Sequence, residues 1–152
     1  IAAEADLKPV AIESVAWRTV DLVPTANAKY DAEALAKEIG NHENSVVNRN
    51  RPSFTLSWLR RMKKGTPIIL SSLMVNNVSL INLPAECFVE YQLRAQDIGS
   101  ERFVATAAYG DGGPWYIPTK EEYPTGGYEC SVAFCEPSVD DLMTEGIKTL
   151  LA

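Results

Sequence analysis

The sequence predicts an α+β fold, with mixed α/β layers in which a β-sheet carries about four packed helices. Three observations predict it. Runs rich in β-branched and aromatic residues alternate with segments of helical spacing. Capping residues and glycines punctuate the helical segments. The 152 residues, 46% of them hydrophobic, suffice for one domain over 1–152 with a sizeable core.

The elements follow in order. Residues 10–23, VAIESVAWRTVDLV, read as a strand in which Val15 and Trp17 alternate with polar neighbours, and Pro24 ends it. In YDAEALAKEIG, Asp31 can cap a helix whose Leu35 and Ile39 lie one turn apart, and Gly40 stops it. NHENSVVNRNRP reads as a polar connection. Ser53 then caps FTLSWLRRMKKG, where Phe54, Trp58, Leu59 and Met62 form one apolar stripe and Gly65 ends the helix. In TPIILSSLMVNNVSLINL, Asn76-Asn77 divides two apolar runs, which predicts a hairpin. Pro84 suits a first helical turn, and Phe88, Tyr91, Ala95 and Ile98 continue with helical spacing. RFVATAAYG is a further strand, and a glycine-rich loop follows from Gly110 to about Tyr128. Ser138 with Asp141 makes a capping-box pattern ahead of a last helix whose stripe is Val139, Leu142, Met143, Ile147 and Leu150.

Composition excludes several function classes. A net charge of −6 argues against a sequence-independent nucleic-acid binder. Arg49, Arg51, Arg60, Arg61, Lys63 and Lys64 cluster, and read as a solvated helix end near the negative pole of the dipole. No apolar run is long enough for a transmembrane segment. Three cysteines make no disulfide framework. Cys130 and Cys135 are close enough in sequence to bridge, but small buried thiols are the simpler reading. The chain opens on Ile and reads like the interior of a longer protein.

Two stretches carry the chemistry. In INLPAECFVEYQLRAQ, an apolar run meets Glu86 at the start of a helical pattern. A carboxylate in a first helical turn is favoured in its ionised form, as a helix cap or as a metal ligand. In YGDGGPWYIPTKEEYPTGGYE, glycines allow close backbone approach while Pro114 and Pro118 stiffen the segment around Tyr116. Read from the residues alone, Tyr116 is a packed aromatic, a hydrogen-bond donor or an oxygen ligand.

These stretches, Pro84-Ala85-Glu86 and Tyr116-Ile117-Pro118-Thr119-Lys120-Glu121-Glu122-Tyr123 closing with Tyr128-Glu129, resemble the C-terminal part of the catalytic domain of the neutral/alkaline ceramidase-like family. That family consists of zinc-dependent amidases. The resemblance implies Glu86 and Tyr116 as two of four zinc ligands, with zinc belonging to an intact parent and bound weakly or not at all by this chain. It favours a secreted or periplasmic address. The family's two histidine ligands and its nucleophilic serine, in a Gly-Asp-x-Ser segment, lie upstream. Here His42 matches no such motif, and Gly110-Asp111-Gly112 is not the serine segment. So the resemblance implies a fragment of a hydrolase of amide (N-acyl) bonds that is not active alone, with no catalytic nucleophile in this chain. Trp115 and Tyr123 are candidates for lining a substrate pocket. The expected partner is the missing N-terminal part of the parent, with self-association through an exposed apolar face as another outcome. The alternative is a non-catalytic scaffold, or a carbohydrate- or peptide-binding module built on Trp115, Tyr116 and Tyr123.

Overall fold

The structure is a computed structural model that describes residues 8–110 and 112–152; Asp111, in the glycine-rich stretch set aside above, lies outside the described residues. In chain order the elements are β1 (Val15–Leu22), α1 (Ala32–Gly40), α2 (Val46–Lys63), β2 (Ile68–Val75), β3 (Val78–Pro84), β4 (Glu86–Cys87), α3 (Val89–Ile98), β5 (Phe103–Gly110), β6 (Tyr116–Ile117), α4 (Tyr128–Val132) and α5 (Val139–Leu151). The mixed sheet and its helices are the α+β class that the sequence predicts.

The main sheet has strand order β1-β2-β3-β5. β1, β2 and β3 are antiparallel neighbours, whereas β5 runs parallel to β3. A parallel neighbour needs a crossover, and α3 supplies it. The β2–β3 hairpin turns at Asn76-Asn77 as expected, with Asn76 in the left-handed region (φ 49). Asn76 also ties down the lead-in to β1: its side-chain oxygen accepts from the backbone N–H groups of Glu13 and Ser14, and its Nδ2 donates to Ala11 O at 2.7 Å.

One sheet face is covered. Leu22, Ile68, Leu70, Ile81, Leu83 and Val104 are buried with Met143, Ile147 and Leu150 of α5 and with Tyr91 and Ala95 of α3. The opposite face is open. Across it, the register aligns Val15, Val75, Val78 and Phe103 in one row and Trp17, Leu73, Leu80 and Ala105 in the next. Trp17 and Phe103 remain 60% and 67% exposed.

Several local expectations are corrected. The polar stretch from residue 46 is helical: Ser45, not Ser53, caps α2, its Oγ accepting from Asn48 N at 3.3 Å. Pro52 sits inside this helix, where its ring removes one intrahelical bond. Burial of Pro52, Thr55, Leu56 and Trp58 against the rest of the fold offsets that loss. Phe54, expected in the buried stripe, is exposed. Ser138 precedes α5 without a side-chain cap bond, so the capping box does not form. The three cysteines are free; Cys130 and Cys135 are buried and Cys87 is half-buried. No described helix is long and apolar enough to cross a membrane.

Candidate functional site

Glu86 does not sit in a first helical turn. Pro84 ends β3, Ala85 turns the chain through the left-handed region (φ 60), and Glu86 enters the two-residue strand β4; α3 starts only at Val89. The cause is non-local. The Glu86 N–H donates to Trp115 O at 2.9 Å, and the Tyr109 N–H donates to Ala85 O at 2.8 Å. These two bonds bend the backbone away from the helix that Pro-Ala-Glu alone suggests. Tyr109 (φ 61) and Trp115 (φ 66) are left-handed as well. Each non-glycine residue held there costs on the order of 1 kcal/mol. Three of them around one carboxylate mark a turn over-determined by its surroundings.

β4 pairs in parallel with β6, and the register sets Glu86 directly beside Tyr116. Cys87 pairs with Ile117 and packs towards the core, where burial pushes its thiol to about 11. Hydrogen bonding to the Glu86 carboxylate is the largest cause that raises the Tyr116 phenol to about 12, followed by desolvation and by the negative charge of Glu86. The Tyr109 phenol is raised too, first by desolvation and then by Glu86. Glu86 is thus among the causes that raise both phenols. Replacing Glu86 by glutamine is expected to lower the Tyr116 titration from about 12 towards an ordinary tyrosine value. The check is a site-resolved NMR titration of the phenol, in which an unmoved midpoint would contradict the pairing.

The segment after β6 is held from two sides. The Tyr91 hydroxyl, on α3, donates to Pro118 O at 3.0 Å within the core. The Lys120 N–H donates to Asp140 Oδ2 at 3.0 Å. Asp140, on α5, also receives Arg94 of α3 as an ion pair, and its side chain is only 2% exposed. Burial raises the Asp140 carboxyl, but the hydrogen bonds from Arg94 and Lys120 and the Arg94 charge outweigh it and hold the group below the usual carboxylate range. Tyr116 is therefore fixed two residues ahead of a double anchor.

Glu86, Tyr109, Trp115 and Arg61 line one cavity of about 460 Å³, with Phe54 and Phe134 among its aromatic walls. Trp115 and Phe134 also wall a second, more apolar cavity of about 210 Å³, where Tyr30 and Tyr128 join them. Tyr128 meets the Tyr116 ring edge-on, with centroids 5.9 Å apart. Tyr123, the other pocket candidate, lies on a 3₁₀ turn, and its hydroxyl donates to Cys135 O at 3.0 Å. His42 is exposed in the loop before α2. Among the described residues no group of three His, Cys, Asp or Glu side chains converges to hold a metal. What the structure brings together is one carboxylate and phenol oxygens.

Tyr109, Arg61 and Asp140 are side chains around the candidate site that sequence reasoning passed over. Tyr109 gave a faint signal as the last large residue before the glycine-rich loop. Arg61 was hidden in a basic cluster, and Asp140 inside an acidic first turn.

No family model matches the sequence, and no curated relative does either. Solved structures do match. One is a ceramidase complexed with C2, at 19% identity and a TM-score of 0.51, covering 57% of this chain and 14% of that one. Another is the neutral ceramidase from Pseudomonas aeruginosa, at 22% identity and a TM-score of 0.46, covering 57% of this chain and 15% of that one. The chain thus spans about one seventh of the length of the ceramidase it matches. Over 57% of its length the chain has the fold of part of a ceramidase, the family that its two motifs resemble.

Proposed function

We propose that this chain is the C-terminal portion of a ceramidase-like, metal-dependent hydrolase of amide (N-acyl) bonds, and that it supplies the Glu86 and Tyr116 ligands of a zinc ion. The observation that carries the reading is the β4–β6 register, which sets Tyr116 beside Glu86, itself on the wall of a cavity. A carboxylate and a phenolate suit zinc chemically, but a stable site wants three or four protein ligands. This chain alone therefore binds the ion weakly and turns over no amide. When bound, zinc would polarise the scissile carbonyl and lower the pKa of an attacking group.

Each residue of the chain then has a definite task. Glu86 is held by the Trp115 carbonyl and offers its charge. Tyr116 is a protonated donor to Glu86 below about pH 12 and must lose that proton to ligate. Trp115 walls the cavity, where an acyl group can lie against its ring. In this reading the imidazoles and the nucleophile come from a preceding part of a longer polypeptide. The open sheet face bearing Trp17, Leu80 and Phe103 is where that part packs. An exported setting, secreted or periplasmic, goes with the same family reading.

Zinc titration of the chain, followed at the Glu86 and Tyr116 resonances, tests the reading. Both residues are expected to shift together, with release of a proton and with affinity rising as pH rises towards about 12. Glu86→Gln and Tyr116→Phe are each expected to weaken binding by about tenfold or more. Zinc that binds while both resonances stay still would overturn the assignment.

A further inference from the structure

We propose that the cavity beside Glu86 recognises a carboxylate through Arg61, so that the amides it takes are N-acyl amino acids or close analogues carrying a free carboxylate. The amide half of this statement rests on the function proposed above. The carboxylate half stands on the cavity alone.

Arg61 leaves the last turn of α2 and is fixed by two backbone acceptors. Its Nε donates to Thr66 O at 3.4 Å and its Nη2 donates to Pro67 O. These bonds orient the planar guanidinium and leave Nη1 uncommitted to them. Nη1 lies against the glycine-rich loop: a Cβ on Gly112 would fall 2.5 Å from it, and Gly112 itself has φ +61. Only glycine meets both demands without displacement. The next residue, Gly113, packs against Ala85, immediately before Glu86. The loop thus makes continuous contact from the guanidinium to the turn that carries the carboxylate.

Charge then decides the ligand class. The ion pairs among the described residues join Arg94 to Glu121 and Asp140, Lys120 to Asp141, and Lys148 to Glu145; none uses Arg61. A guanidinium keeps its charge at any working pH, and its geometry matches a carboxylate. Phe54, Trp58, Trp115 and Phe134 line the same cavity as that charge, and Arg61 is half-buried. Among the described residues no ion pair engages this cation, and a neutral amide supplies no counter-charge. A ligand with a carboxylate satisfies it, and repulsion by Glu86 orients the ligand: carboxylate at Arg61, apolar body along the aromatic walls.

The test uses the chain dialysed free of metal, so that it is independent of zinc. N-octanoylglycine and its neutral isostere N-octanoylglycinamide are titrated calorimetrically at low salt. The carboxylate is expected to bind about tenfold tighter, the usual order for one charge-assisted contact. Arg61→Gln should abolish the preference, and Arg61→Lys should keep part of it because the charge stays and the fork is lost. Gly112→Ala, which displaces the guanidinium without removing it, should also shrink the preference and serves if Arg61→Gln fails to fold. Equal affinity of the two probes, no binding of either, or a preference that survives both Arg61→Gln and Gly112→Ala would overturn the proposal. None of those outcomes bears on the Glu86–Tyr116 zinc reading, and a failed zinc titration removes the amide half while leaving the carboxylate half standing.

Discussion

Replacing Asp140 by alanine is expected to cost about 3 kcal/mol of folding stability, the lower part of the range for breaking a buried ion pair. The lower part applies because the Arg94 side chain is 31% exposed and keeps Glu121 at 3.8 Å. The loss has three sources. Arg94 loses its partner, the Lys120 N–H loses its acceptor, and a small cavity opens at the start of α5. Asp140→Asn keeps an oxygen for Lys120 and should recover part of the loss. The pH dependence has a definite sign. The folded carboxyl is held below its ordinary value, so its contribution is fully present above the unfolded value of about 4 and disappears as pH falls through the lower folded value. Wild type should therefore lose stability on acidification below about pH 4 more steeply than the alanine variant. Urea unfolding at neutral pH and near pH 3 measures both effects.

The same substitution reaches the candidate site. Asp140 and Tyr91 anchor residues 118–120 directly after β6, so loss of one anchor loosens Tyr116 relative to Glu86. In Asp140→Ala the raised Tyr116 titration is expected to fall towards an ordinary value. Leu150→Ala, a core truncation on the far turn of α5, should destabilise comparably and leave that titration in place. If both variants moved Tyr116 equally, the anchor would have no positioning role beyond stability.

What the sequence revealed depends on how local the determinants are. The four long strands carry β-branched residues, although β1 starts at Val15 rather than at residue 10, and the Asn76-Asn77 turn needs only a residue that tolerates positive φ. α1 was legible because Asp31 caps it, accepting from Ala34 N at 2.7 Å. The first half of α2 was not, since Val46 and Val47 are exposed and Pro52 reads as a breaker. That half is helical because Pro52, Leu56 and Trp58 find tertiary partners, a term absent from any local pattern.

The candidate site divides the same way. Glu86 and Tyr116 stood out as residues, and the structure pairs them, but the local conformation expected for Glu86 was wrong. Leu-Pro-Ala-Glu has the composition of a helix start. The turn at Ala85 depends on Tyr109 and Trp115, 24 and 30 residues further along the chain, and only folding brings those backbone groups to it. Arg61 illustrates the converse. Its basic neighbours suggested a solvated helix end, and nothing in the sequence shows that Thr66, Pro67 and Gly112 would gather around one guanidinium.

The second large effect is expected at Phe134, where alanine should cost about 4 kcal/mol, within the range for deleting a buried aromatic ring. The ring is 4% exposed and meets Tyr30 and Trp115 edge-on, at centroid separations of 5.8 and 5.7 Å. Its backbone oxygen accepts from Trp58 Nε1 and from Asn27 N, and those bonds survive the substitution. The cost therefore isolates the ring. Phe134→Leu should restore most of the buried apolar area and lose only the aromatic contacts, about 1 kcal/mol. The functional consequence follows from position. Phe134 and Trp115 form the wall between the two cavities, so removing the ring joins them and frees Trp115 to tilt away from Glu86. Urea midpoints at unchanged slope give the stability change, and tryptophan fluorescence reports the Trp115 surroundings. A cost below about 1 kcal/mol would mean the surrounding aromatics collapse into the space. In that case the wall would not be rigid enough to orient a ligand between Arg61 and Glu86.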